Sequence, residues 1–165
     1  MNETKDNDLE AFRQMVKLFI EIDSPATISN NNSDHAKIIL EELFRSAKET
    51  AYVYCGHISN EVWGGDTMAA VIDRAVRNNV KVRFIVQKPN EIPKDSAVAA
   101  FLKERNLICS SEKFSALGTH FAVFDGKRYR LEKNDEAKSA TVCMCNEASA
   151  GKLKETAELM INAAA

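Results

Sequence analysis

An α/β fold, a single domain built on one mixed β-sheet flanked by helices, is what the patterning of this 165-residue chain predicts. Residues 51–55 and 80–86 are apolar runs rich in strand formers, and between them Met68, Val71, Ile72, Ala75 and Val76 recur at helical spacing. Strand, helix, strand is the crossover that makes parallel neighbours. In residues 118–132, Phe121, Val123, Tyr129 and Leu131 alternate around Asp125-Gly126. That dipeptide is favoured where both central turn residues take positive φ, so this stretch reads as an antiparallel hairpin.

The remaining elements follow in order. Residues 1–7 are polar and expected to fray, whereas residues 9–22 place Leu9, Phe12, Met15, Val16, Phe19 and Ile20 on one helical face. Pro25 ends that helix, residues 26–29 read as a short strand, and Ser33 is the expected cap of a helix over 34–48. Residues 57–65 form a loop, after which Asp66 or Thr67 caps the crossover helix. Pro89 and Pro93 bound a surface connection to a helix over 95–105, a short strand over 107–110 and a loop over 111–118. Beyond the hairpin come a charged loop over 133–138, a strand over 140–145, and a last helix capped by Asn146 or Ser149. Its apolar stripe is Leu153, Ala157, Met160 and Ile161.

Composition narrows the function classes. Apolar residues make up 45% and charged residues 28%, ordinary for a globular chain, and no apolar run is long enough to insert into a membrane. The acidic start has no signal-peptide pattern. A formal charge of −2 gives no global basic field, so any nucleic acid must be met by a local patch. Cys55, Cys109, Cys143 and Cys145 lack metal-site spacing and lie in or beside strand-like segments, which reads as buried free thiols in a reducing compartment, the cytoplasm.

Two places carry chemistry-bearing residues. His120 opens the first hairpin strand, and Arg130 and Glu132 share one face of the second, so an imidazole, a guanidinium and a carboxylate gather there, with Asp125, Lys127 and Arg128 at and after the turn. The loop over 57–65 leaves the carboxyl end of a parallel strand, the usual ligand crevice of an open α/β sheet. It offers His57, Ser59, Asn60, Glu61 and Trp63 as contacts, with Gly64-Gly65 permitting close backbone approach. Bland alternatives stand beside both: a Gly-rich turn plugged by Trp63, and an ion-pair cluster of Asp125, Arg130 and Glu132 that supports the hairpin.

A strand that begins with His120 and runs into Asp125-Gly126 late in a short α/β chain resembles the catalytic strand of the phospholipase D superfamily. The superfamily motif is His, any residue, Lys, four residues, Asp. Here Ala122 stands at the lysine position and Lys127 at the aspartate position, with Asp125 two residues early. The segment His35-Ala36-Lys37 spells the first half of the motif, but helical spacing places it in a first helical turn. The resemblance covers residues 30–162 and implies a phospholipase D-like domain over 30–165, preceded by a helix and connection over 1–29.

It also implies that His120 is the nucleophile of a metal-independent, cofactor-free phosphodiester chemistry, that the metal set is empty, and that one motif per chain is completed in a homodimer. With the lysine missing, the expected role is binding of a nucleic acid or another phosphodiester at a degenerate site. An active phosphodiesterase or nuclease using His120 in a homodimeric site, and a structural assembly subunit, remain open alternatives.

Overall fold

The computed structural model describes residues 3–111, 119–134 and 139–164. The expected loop over 111–118, including Gly118, and the charged loop after Lys133 lie largely outside the described residues. Seven strands form one sheet in the order β1-β7-β6-β5-β2-β3-β4. They are β1 (Thr27–Asn30), β2 (Thr50–Cys55), β3 (Lys81–Val86), β4 (Ile108–Ser110), β5 (Phe121–Phe124), β6 (Arg128–Asn134) and β7 (Ser139–Cys143). β2, β3 and β4 run parallel, and every other neighbouring pair is antiparallel, so the sheet is mixed as the patterning requires.

Alternation along the strands decides what covers each face. Tyr52 and Tyr54 of β2, Phe121 and Val123 of β5, and Tyr129 of β6 point to one side, where α6 (Glu147–Ala164) covers them with Ala150, Ala157 and Met160. Ala51, Val53, Ala122 and Phe124 point to the other, against α2 (Ser33–Ser46), α4 (Asp66–Arg77) and α5 (Ala97–Glu104). At the centre of that second core Phe44 meets Phe124 edge-on at 5.1 Å, and Trp63 meets Phe84 edge-on at 4.9 Å. Trp63 belongs to a short helix, α3 (Asn60–Trp63), inside the segment expected to be a loop. Gly64 closes it because a Cβ there would stand 2.3 Å from the Asn60 carbonyl oxygen, and Gly65 follows at φ 100°.

The first helix, α1 (Glu3–Glu21), begins earlier than its apolar stripe suggests. From Glu3 onward the polar residues are helical rather than frayed; Lys5 pairs with Asp34 of α2 at 2.9 Å, and Glu3 and Asp6 complement the helix dipole in the first turn. Arg13 of α1 bridges the buried Glu41 and Glu42 of α2 at 2.6 and 2.7 Å. The cap of α2 is Asn32, whose side chain accepts from the His35 amide, and not Ser33. Residue 29, where the expected boundary lies, is within β1, which pairs with β7. The cap of α4 is Gly65, preceding both expected residues, while Asn146 caps α6 through the Ser149 amide as expected.

The four cysteines are thiols rather than disulfides. Cys55 and Cys143 are buried, whereas Cys109 and Cys145 are half-buried, and burial pushes the Cys109 thiol up against a weaker opposing effect of Arg83. Among the described residues no helix is long and apolar enough to cross a membrane.

Asp23, at φ 49°, ties the end of α1 to the hairpin by pairing with Lys127 and Arg128, each at 2.7 Å. The hydrogen bond from Lys127 holds its carboxyl below the ordinary value, with charge attraction from the same lysine and Arg128 adding to it against desolvation. A carboxyl depressed on folding stabilises the fold above its unfolded-state pKa and loses that contribution as pH falls through its folded value. Asp23→Asn keeps a residue that tolerates the left-handed backbone but removes the charge. It should lower Tm at neutral pH, with the gap to wild type closing as pH falls through the carboxylate range. A gap of constant size across the titration rejects the electrostatic account.

Candidate functional site

Strand direction brings the ends of several strands to one edge of the sheet. β2 and β3 finish there at Cys55 and Val86. β5, antiparallel to β2, begins there next to His120, and β6 returns there at Glu132. Asn30 ends β1 at the same edge, since it pairs with Ala140 of β7, itself opposite Glu132. Residues far apart in sequence therefore meet in one cleft.

His120 is its centre. Nε2 lies 2.7 Å from Gln87 Oε1, and Nδ1 lies 3.5 Å from Glu132 Oε2. Gln87 Nε2 donates to the Tyr54 hydroxyl at 2.6 Å, while its carbonyl oxygen faces the imidazole. Tyr54 is buried and meets the His120 ring edge-on at 5.5 Å. Burial pushes its hydroxyl pKa up, partly offset by the Gln87 hydrogen bond, so it stays a neutral phenol.

The permanently charged donor of the cleft is Arg130, only 6% exposed. Its Nε donates to Asn30 Oδ1 at 3.2 Å and its NH1 approaches Glu132 Oε2 to 4.0 Å. Arg130 pairs across the strands with Ala122, the position two after His120. A buried guanidinium thus stands beside the place where the motif has lysine. Gly56 lets the backbone come close, because a Cβ there would lie 3.3 Å from His120 Cε1.

His57, Ser59 and Trp63 line the same cleft together with His120, Arg130 and Glu132. Asn60 turns away and donates to Asp95 at 2.9 Å. Trp63 is 5% exposed and packs mainly into the core, the plug reading of that residue. The enclosed space is about 50 Å³. That exceeds the roughly 10–15 Å³ a single water needs but falls far short of the roughly 300–1,000 Å³ of a small-molecule pocket. The space admits a group of a few heavy atoms but not a whole small molecule.

Asp125, Lys127 and Arg128 are not brought to this cleft; they occupy the opposite end of the hairpin. The Asp125 carboxylate accepts from the backbone amides of Lys48, Glu49 and Thr50, ordering the start of β2. Lys127 and Arg128 are held by Asp23. A broader groove at that end, about 700 Å³, sets its cations against Glu21, Asp23, Glu49 and Asp125. The cluster of Asp125, Arg130 and Glu132 is accordingly split between two ends of one hairpin.

Three residues that position the cleft's side chains are not evident from the sequence: Tyr54, which lines it, and Asn30 and Gln87, which bond Arg130 and His120 from behind. The available signal was position, since Gln87 directly follows the apolar run of a parallel strand, where ligand crevices form. Among the described residues no group of three or more His, Cys, Asp or Glu could hold a metal ion.

No protein-family model and no curated protein matches the chain. Solved structures do. TrmBL2, described as an archaeal chromatin protein with a novel mode of DNA binding, superposes with a TM-score of 0.63 at 14% identity over 99% of this chain, which spans 64% of that protein. Nuc from Salmonella typhimurium, a phospholipase D family member, gives a TM-score of 0.60 at 11% identity over 83% of this chain and 93% of its own. NucT from Helicobacter pylori gives 0.59 at 16% identity over 83% of this chain and 97% of its own. The fold is phospholipase D-like.

Proposed function

We propose that this chain is a phospholipase D-like domain with a degenerate site, which binds the phosphodiester backbone of a nucleic acid at the cleft between His120 and Arg130 without cleaving it efficiently. The observation that carries this reading is the buried Arg130 opposite Ala122: a guanidinium supplies a forked, permanently charged donor set for phosphate oxygens. The DNA binding of TrmBL2 supports the ligand class. Thiols at all four cysteines support a reducing, cytoplasmic setting.

Fluorescence anisotropy with short labelled DNA tests it. Affinity should fall with added salt, because phosphate neutralisation releases counterions, and should drop in Arg130→Gln. Binding that is indifferent to both salt and Arg130 rejects the reading.

A second reading, an active phosphodiesterase, is favoured by one contact. Glu132 beside Nδ1 is the carboxylate that would orient the imidazole for attack through Nε2. One such histidine per chain makes half of a two-histidine site, so this reading requires a homodimer that joins two clefts. The expected result is weak or absent turnover of a nitrophenyl phosphodiester, since losing one transition-state donor costs on the order of a hundredfold or more. Robust turnover that resists chelation, is lost in His120→Ala and accompanies a dimer in light scattering would establish the enzyme instead.

A further inference from the structure

We infer that Gln87 is a latch on His120, a positioning residue that ties up Nε2 and so makes the imidazole a hydrogen-bond donor rather than a nucleophile. The inference rests on the reading of this cleft as a phosphodiester site and explains why the histidine there does not attack. Nucleophilic attack needs a lone pair on Nε2 and open space in front of it. Neither is available. The Gln87 carbonyl oxygen can only accept, so at 2.7 Å it requires a hydrogen on Nε2.

The amide has little freedom to leave this position. Its NH2 group is engaged by the Tyr54 hydroxyl, and the Gln87 and Lys88 backbone amides donate to Cys55 and Gly56 at 3.0 and 2.7 Å, extending the β2–β3 pairing past the last strand residues. The backbone at Gly56 closes over the same contact, where an added Cβ would lie 3.7 Å from Nε2 and 3.9 Å from Oε1. Glu132 guards the other ring nitrogen. The absent lysine and the latch are therefore separate obstacles to catalysis.

An anionic phosphodiester oxygen offers the same kind of acceptor as the Gln87 carbonyl. Ligand binding then exchanges one partner of the Nε2–H for another, and His120 contributes recognition without forming a covalent bond. Any preference for an oxyanion over a neutral acceptor comes from the Arg130 guanidinium in the same cleft.

The test compares Gln87→Ala with Gln87→Glu. In the alanine variant the ring can place its hydrogen on Nδ1 towards Glu132 and leave the Nε2 lone pair facing the cleft. Carbethoxylation of His120 by diethyl pyrocarbonate, mapped by mass spectrometry, should then be about tenfold faster than in wild type, the factor that one net hydrogen bond controls. His57 provides the internal reference. The glutamate variant keeps an acceptor in place and should remain slow, which a merely structural role for Gln87 would not predict. Ring ¹⁵N spectra read the same change without dependence on reagent access: Nε2 moves from the protonated to the unprotonated type in Gln87→Ala only. An unchanged Nε2 resonance in folded Gln87→Ala, or equal reactivity in both variants, overturns the latch. Loss of DNA binding by the wild type, with the latch signature intact, would instead overturn the proposed ligand.

Discussion

Replacing Arg130 with Met should lower the unfolding free energy by about 3 kcal/mol, at the lower end of the loss expected when one partner of a buried ionic cluster is removed. The methionine fills much of the same volume but withdraws the donor to Asn30 and the cation near Glu132, both inside the cleft. Glu132, with a side chain only 11% exposed, is left with its negative charge poorly compensated. Arg130→Lys keeps the charge but loses the planar fork, so its loss should be about half as large. Urea denaturation with an unchanged m-value measures both. A loss below about 0.5 kcal/mol for the methionine variant, the range of ordinary surface substitutions, would mean that Arg130 is solvated rather than built into the domain. DNA affinity, measured where the variants remain folded, should fall in the same order.

Asp125→Ala should also cost about 3 kcal/mol, for a reason that has nothing to do with ligand. The carboxylate accepts from three consecutive backbone amides, the shortest contact being 2.7 Å from Glu49, and hydrogen bonds to a charged acceptor are worth more than neutral ones. The residue also holds φ at 57°, a conformation that alanine adopts at a cost of roughly 1–2 kcal/mol. Asn tolerates the conformation and keeps one acceptor, so Asp125→Asn should lose about 1–2 kcal/mol. DNA affinity should be unaffected in either folded variant. Weakened binding with unchanged stability would return Asp125 to the ligand site and contradict its placement at the start of β2.

These two residues show how differently the parts of the chain could be read. Asp125-Gly126 was legible as a positive-φ turn because the dipeptide's preference is local, and both residues adopt it, at 57° and 60°. What the Asp125 side chain does was not legible, because its partners lie more than seventy positions earlier, at Lys48, Glu49 and Thr50. The same distinction explains α1. Its apolar stripe marked residues 9–22, but the helix starts at Glu3, where Lys5 meets Asp34 on α2, a contact that no pattern within the first residues encodes.

By itself the sequence determined the elements other than α3, the mixed sheet and the grouping of His120 with Arg130 and Glu132, since each depends on side-chain periodicity over a few neighbours or on residues sharing one hairpin. Only the tertiary structure decided that Gln87, Tyr54 and Asn30 complete the cleft and that Asp125, Lys127 and Arg128 do not. The physical reason is strand order. Placing β5 beside β2 sets the His120 end of the hairpin against the carboxyl ends of the parallel strands and sends its turn to the far edge of the sheet. Pairing between strands distant in the chain is chosen by the packing of both sheet faces at once, and no local stretch of sequence carries that information.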